Sequence, residues 1–292
     1  KAVQAPGLDG IMVQTVSKLR SGKSEAVHNV ERIFRNNGII HYEGRVHNRL
    51  VGMNNARIFP IRVRHYGYDL QQAQSRQKFD RTVALLKMEL QDDPGNPLTY
   101  HYLGCSYLSQ GMFSEALEAS LAAIGLADDR QDRNMIYLWS RYNAAMSYYR
   151  LGDLSNAEKI ARQSLEIYPR HIDAHYLLTA VYYDLKQWLP AVEHGRKYLK
   201  LVASLRAAPE KFGNLVSSSL NEKWNIHLLI GFAQAELGQT APADLSFAAG
   251  IESAPEPFLA WRALGIYHFQ KNRTAPASLY LEQAHRLHPE DE

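Results

Sequence analysis

The sequence predicts a mainly α protein: a solenoid of about five helix-turn-helix repeats behind a small α/β or β-rich piece. Three observations carry this expectation. From Pro97 onward, small and aromatic residues recur in one common register. The copies start at Pro97, Leu138, Ile172, Trp224 and Phe258, separated by 41, 34, 52 and 34 residues. Residues 1–70, by contrast, break into short β-branched runs split by turn residues.

Composition is that of an ordinary folded chain. It has 292 residues, 46% hydrophobic and 22% charged, with a net charge of +3. The charge is uneven. Residues 1–70 carry 11 Lys/Arg against 5 Asp/Glu, and the remainder 22 against 25, so the N-terminal piece is the better host for an anion. The single cysteine, Cys105, excludes an internal disulfide and any CxxC zinc or redox pair, which predicts a reducing, cytoplasmic setting. No apolar run is long enough to span a membrane. No basic stripe, Gly-rich phosphate loop or GxSxG nucleophile site is present, so nucleic acid is not an expected partner. The first ten residues, KAVQAPGLDG, lack the apolar stretch of a signal peptide.

In chain order, Gly10–Leu19 alternates like a strand. Val30–Arg35, Ile39–Tyr42, Gly44–Leu50 and Ile58–His65 are further short strands, punctuated by Asn36-Asn37-Gly38 and Gly52. Asp69–Asp92 is a helix with Phe79, Val83, Leu86 and Leu90 on one stripe, stopped by Asp93-Pro94-Gly95. Three regions follow: residues 1–70, a joining helix over 71–95, and a repeat region over 96–292.

Counting Pro97 as position 1, the first repeat places Leu103, Gly104, Gly111, Ala116 and Ala123 at positions 7, 8, 15, 20 and 27. A small residue at 8 lets the first helix (A) approach its neighbours. Glycine at 15 ends it, and alanine at 20 and 27 seats the second helix (B) against it. This register is identified as that of the tetratricopeptide (TPR) repeat. The spacing of 41 adds a polar loop over Asp128–Asn134. The spacing of 52 adds residues over Ser204–Asn221, read as longer helices or a short extra one.

The TPR resemblance implies that A helices line a concave groove. Its expected lining is His101, Trp139, Tyr142, Tyr149, Tyr176 and Tyr183, an aromatic stripe suited to a protein or peptide partner. The alternative is that several of these side chains pack between repeats. No Lys–Asn pair occupies positions 5 and 9, against a clamp for C-terminal carboxylates. His171 and His175 lie four apart, a two-ligand helical spacing without an evident third ligand, so no metal site is expected. Cys105 has no His/Asn motif around it and reads as a small packed side chain.

Three ordered motifs precede the repeats: ERIFRN (Glu31–Asn36), GRVHN (Gly44–Asn48) and HYGY (His65–Tyr68). Together with the helix and repeats they resemble the C-terminal part of bacterial family-2 glycosyltransferases carrying TPR tails, over about residues 10–292. That resemblance implies a GT-A-like fold, a nucleotide-sugar donor and a divalent metal, Mn²⁺ or Mg²⁺. It also implies that His47 and His65 lie near the metal or diphosphate, and that Arg32, Arg35 and Arg45 meet phosphate charge. Asn48 stands where the family pattern has Glu. No Asp-x-Asp motif occurs, so the chain lacks the donor-binding half and is not expected to transfer sugar by itself; a nucleotide sugar would bind only with an upstream catalytic half. Two functions follow: an acceptor-orienting tail of such an enzyme, or a non-catalytic TPR adaptor.

Overall fold

A computed structural model describes residues 7–19, 24–46, 49–65, 72–129, 135–208 and 217–289. The first strand, β1 (Gly10–Leu19), pairs antiparallel with β2 (Ser24–Phe34). A short antiparallel ribbon of β3 (His41–Glu43) and β4 (Arg49–Val51) follows. The chain then returns as β5 (Ala56–His65), parallel to β1, giving a mixed sheet of order β2-β1-β5. Two irregularities have identifiable causes. Between Ile11 and Met12 the pairing skips from Ile33 to Glu31, so Arg32 is the extra residue of a bulge. Along β5 the register shifts between Ile58 and Arg62, across Pro60, which has no N–H to give to the ladder. The sheet's core is small: Leu8, Ile11 and Val13, with Phe59 against them. The single strand expected over Gly44–Leu50 is instead a bend followed by β4, with Gly44 at φ +102°.

Helix α1 (Gln72–Asp92) ends before Asp93-Pro94-Gly95 as expected. Its Phe79, Val83 and Leu86 pack with Leu103 and Ala119 of the next two helices, α2 (Pro97–Ser109) and α3 (Phe113–Asp129). Asn96 caps α2 by accepting from the N–H groups of Leu98 and Thr99, with Pro97 in the first turn, where its missing N–H costs nothing. Four more pairs complete the array: α4 (Met135–Arg150) and α5 (Leu154–Ile167); α6 (Ile172–Asp184) and α7 (Trp188–Ala207); α8 (Lys223–Glu236) and α9 (Thr240–Ser253); α10 (Pro257–Gln270) and α11 (Thr274–Leu287). Each A helix contacts its B partner and also the A helices before and after it, so α2, α4, α6, α8 and α10 form one face of the stack.

The repeat positions act through sterics. Position 20 is alanine in all five copies (Ala116, Ala157, Ala191, Ala243 and Ala277), each 2% exposed or less. Position 8 is where helices touch: a methyl on Gly231 would sit 2.5 Å from the Phe247 ring, and one on Gly265 would sit 2.5 Å from Leu281 Cγ. Position 15 is left-handed in every copy: Gly111, Gly152 and Gly238 at φ +72°, +85° and +73°, but Lys186 and Asn272 at +59° and +55°. Asparagine tolerates this region and lysine does not. Lys186→Gly is therefore expected to stabilise the array by about 0.5–1 kcal/mol, the relief of Cβ strain exceeding the added freedom of the unfolded chain. Thermal melts check it; an unchanged or lower midpoint contradicts it.

The two long spacings resolve differently. Part of the first is helical, since α3 runs through Asp129. The second lengthens α7 to 20 residues, then delivers Ser217–Glu222 back onto the A-helix face before α8 begins. No helix among the described residues is long and apolar enough to cross a membrane.

Candidate functional site

The N-terminal candidates do not converge on one anion site among the described residues. Arg32 is exposed on the β2 bulge. Arg35 is committed to structure, its Nε donating to the Leu8 carbonyl at 2.7 Å. Arg45 pairs with Asp92 at 2.6 Å, and its backbone N–H donates to Glu89. Arg35 and Arg45 thus already have an intramolecular carbonyl and carboxylate partner. The Arg45–Asp92 pair is exposed and contributes at most about 1 kcal/mol, but it ties the β3–β4 ribbon to α1. His47 and Asn48 lie outside the described residues, as does the side chain of His65 at the end of β5. Among the described residues no group of three His, Cys, Asp or Glu side chains is placed to hold a metal ion.

The groove candidates divide. His101 is a correction: it is 1% exposed and packs between the first two repeats. Its Nδ1 meets Ser140 Oγ at 2.9 Å, its Nε2 lies 3.5 Å from Cys105 Sγ, and its ring stacks on Trp139. Trp139 is accordingly half-buried as a packing partner. Cys105 also accepts from Asn143 Nδ2 at 3.1 Å, so the thiol does have His and Asn neighbours. Burial pushes its pKa up, which leaves it a protonated, unreactive group.

Tyr149, Tyr176 and Tyr183 stay partly accessible on two successive A helices. Burial, then the Asp184 carboxylate hydrogen-bonded to it, raises the Tyr149 hydroxyl pKa well above its usual value. Burial pushes Tyr183 up to about 12, with Glu236 and Asp184 adding to it. Tyr176 accepts from Asn225 Nδ2 at 3.3 Å. All three remain neutral phenols on flat apolar rings; Tyr149 gives its proton to Asp184, while Tyr176 and Tyr183 can donate to a ligand. Exposed Arg150 and Asp184 lie among them, offering one charge of each sign. Beyond Tyr183 the stripe closes, because Phe232 stacks on Tyr267 at 4.4 Å and is itself buried.

Tyr142 is also partly accessible, but differs in what surrounds its hydroxyl. Its hydroxyl end is enclosed: burial first, then Asp173, raises its pKa, and Ser218 hydrogen-bonds to it. The enclosing group is the chain's own segment after α7. Asp173, the second residue of α6, is 3% exposed and accepts from Ser217 Oγ at 2.6 Å and from the backbone N–H groups of Ser218 and Ser219 at 3.0 Å each. The 52-residue spacing announces an insertion; its destination is not encoded locally.

His171 and His175 do not share a ligand. His175 Nε2 faces the Pro169 carbonyl at 3.1 Å, and its Nδ1 lies 3.0 Å from Nδ1 of His194 on α7, a partner the i, i+4 spacing did not suggest. A carbonyl only accepts, so Nε2 of His175 carries the proton and Nδ1 of His194 donates. A separate cavity of about 510 Å³ opens between α7 and α8, with Val202 in its floor and Arg206, Lys223 and His227 at its mouth, away from the tyrosine stripe.

Residues 140–171 match the family model of the tetratricopeptide repeat. No curated protein matches the sequence. Among solved structures, MamA residues 41 to the end from Desulfovibrio magneticus RS-1 is 18% identical, covering 68% of this chain and 98% of that one with TM-score 0.48. YrrB, described as a TPR protein with an unusual peptide-binding site, is 17% identical, covering 70% of this chain and 93% of that one with TM-score 0.48. MamA of MSR-1 is 18% identical, covering 67% and 98% with TM-score 0.44. None of these matches supports the glycosyltransferase resemblance.

Proposed function

We propose that this TPR array is a protein-interaction module that holds an extended peptide against Tyr149, Tyr176 and Tyr183. The observation that carries the reading is this partly accessible tyrosine cluster, flanked by exposed Arg150 and Asp184, on two successive A helices. Large, stiff side chains of this kind give contact area at low entropic cost and are the usual centres of binding energy. The bound peptide would lie with its backbone near the Tyr176 and Tyr183 hydroxyls, which donate to carbonyls, and with a basic residue toward Asp184.

The test is a selection of random peptides displayed on phage against the whole chain, followed by calorimetry of the selected peptides. Tyr149→Ala/Tyr183→Ala is expected to weaken binding at least tenfold, about 1.4 kcal/mol or more, measured below the lowered melting temperature that follows because both rings also pack against the core. Equal affinity of the double variant would remove this groove from consideration. A narrower reading makes the same groove an acceptor site for a family-2-like glycosyltransferase. It rests on the ordered ERIFRN, GRVHN and HYGY motifs. It requires that a polypeptide also carrying a donor-binding half bind a UDP- or GDP-sugar with Mn²⁺ in calorimetry; absence of that heat leaves the non-catalytic module.

A further inference from the structure

The groove contains a built recognition site that is already filled. Asp173 is a buried carboxylate at a groove position of α6. It is satisfied by the tripeptide Ser217-Ser218-Ser219, which bends at Ser218. Two consecutive N–H groups and three hydroxyls converge on its two oxygens: Ser217 Oγ at 2.6 Å, Ser218 Oγ at 3.4 Å, Ser219 Oγ at 2.5 Å, and the N–H groups of Ser218 and Ser219. The Tyr198 hydroxyl donates to the Ser219 carbonyl, and Tyr142 hydrogen-bonds with Ser218. These contacts use only backbone groups and β-hydroxyls. They would be met equally by a serine-rich segment of another protein in the same bent conformation. They would not be met by a phosphorylated one, because Asp173 and the nearby Glu222 would repel the added charge in a poorly solvated site.

We infer that Asp173, with Tyr142 and Tyr198, is a subsite for an unphosphorylated serine-rich peptide, and that Ser217–Ser219 is its resident occupant. The inference rests on the peptide-binding reading and adds the chemistry of the partner. The tyrosines Tyr149 and Tyr183 grip the partner beyond the subsite, and full engagement requires Ser217–Ser219 to leave. The resident segment is tethered at both ends, so it competes at a high effective concentration and keeps the subsite closed to weak ligands.

The chain's own segment serves as the probe. A fluorescein-labelled peptide of sequence NLVSSSLNE (residues 214–222) is titrated by anisotropy into the wild-type chain and into Ser217→Ala/Ser218→Pro/Ser219→Ala, which removes three hydroxyls and one N–H from the resident segment. The triple variant is expected to bind the probe at least tenfold more tightly than wild type. Adding Asp173→Asn, or phosphorylating the probe at its central serine, is expected to abolish the gain. Equal binding by wild type and a triple variant that retains its circular dichroism overturns the inference, as does a gain that survives Asp173→Asn. If the triple variant does not fold, hydrogen exchange of the wild-type chain decides: excess probe accelerates exchange at the Ser218 and Ser219 amides if it competes, and unchanged rates overturn the inference. A negative outcome here combined with loss of library peptides in Tyr149→Ala/Tyr183→Ala rejects the subsite and leaves the interaction module standing.

Discussion

Tyr198→Ala is expected to destabilise the array by about 3–5 kcal/mol, the range for deleting a large ring from a closed core, with a fall in melting temperature on the order of 10 °C. Position 27 of the TPR register is small in every other copy: Ala123, Ser164, Gly250 and Ala284. In the third copy it is Tyr198, 0% exposed, packed with Leu178, Val202 and Ile226 and 5.9 Å from the Tyr176 ring. The extra volume is accommodated where the chain departs from the repeat, at the 52-residue spacing. There the phenol hydroxyl finds the Ser219 carbonyl, an acceptor that a regular repeat would not supply. Truncation therefore opens a cavity and removes one of two donors to the Ser219 carbonyl, the other being the Glu222 N–H at 2.9 Å. Tyr198→Phe separates the two: it keeps the ring and is expected to cost about 0.5–1.5 kcal/mol, the loss of one hydrogen bond to a carbonyl that still accepts from the Glu222 N–H. Urea unfolding followed by circular dichroism measures both, and the third and fourth repeats should melt before the rest, because each repeat is stabilised through its neighbours. A loss below 1 kcal/mol for Tyr198→Ala would mean that the insertion collapses into the space.

Acid is expected to destabilise the protein through His175 and His194, between pH 6.5 and about 4. Burial, then His175, then Lys197 push the His194 pKa down to about 4, and His175 and His171 are lowered for the same first reason. Glu193 opposes these shifts weakly, and Arg162 adds to the downward push on His194. The unfolded chain therefore binds more protons than the folded one in this window, so stability rises with pH across it. It is fully present above the ordinary histidine value of 6.5, is lost as pH falls toward 4, and loses nothing further from this group below that. The linkage relation gives roughly 3 kcal/mol for a shift of this size, and solvent at the partly accessible His194 ring screens it to about 1–2 kcal/mol. The structural cause is specific. His175 can accept from His194 only while its Nδ1 is bare, and a second proton would set two N–H groups face to face. His194→Phe should flatten the melting temperature between pH 7 and 4.5 by several degrees relative to wild type. Parallel profiles would assign the acid loss to carboxylates common to both proteins.

The repeat architecture was readable from residue order because it is a matter of short range. A glycine at a tight A–B contact, a left-handed residue at the turn and an alanine under helix B are demands that one pair of helices makes on itself, and Gly104, Gly111 and Ala116 meet them within thirteen residues. The helix break at Asp93-Pro94-Gly95 and the strand character of Gly10–Leu19 are equally local. The groove was not readable to the same degree. The stripe of tyrosines follows from the period, but which of them face solvent depends on contacts of long range: Tyr142 lies under a serine segment held by Asp173, forty-four to forty-six residues earlier in the chain than its three serine partners. His101 turns inward for a hydroxyl on the next repeat, thirty-nine residues away. Arg45, a phosphate candidate by sequence, is neutralised by a carboxylate forty-seven residues on. Periodicity states what each helix must bury against its neighbour. Where an insertion falls, and which buried charge it satisfies, is chosen by the free energy of the assembled stack, in which an unpaired carboxylate such as Asp173 cannot stay buried without donors.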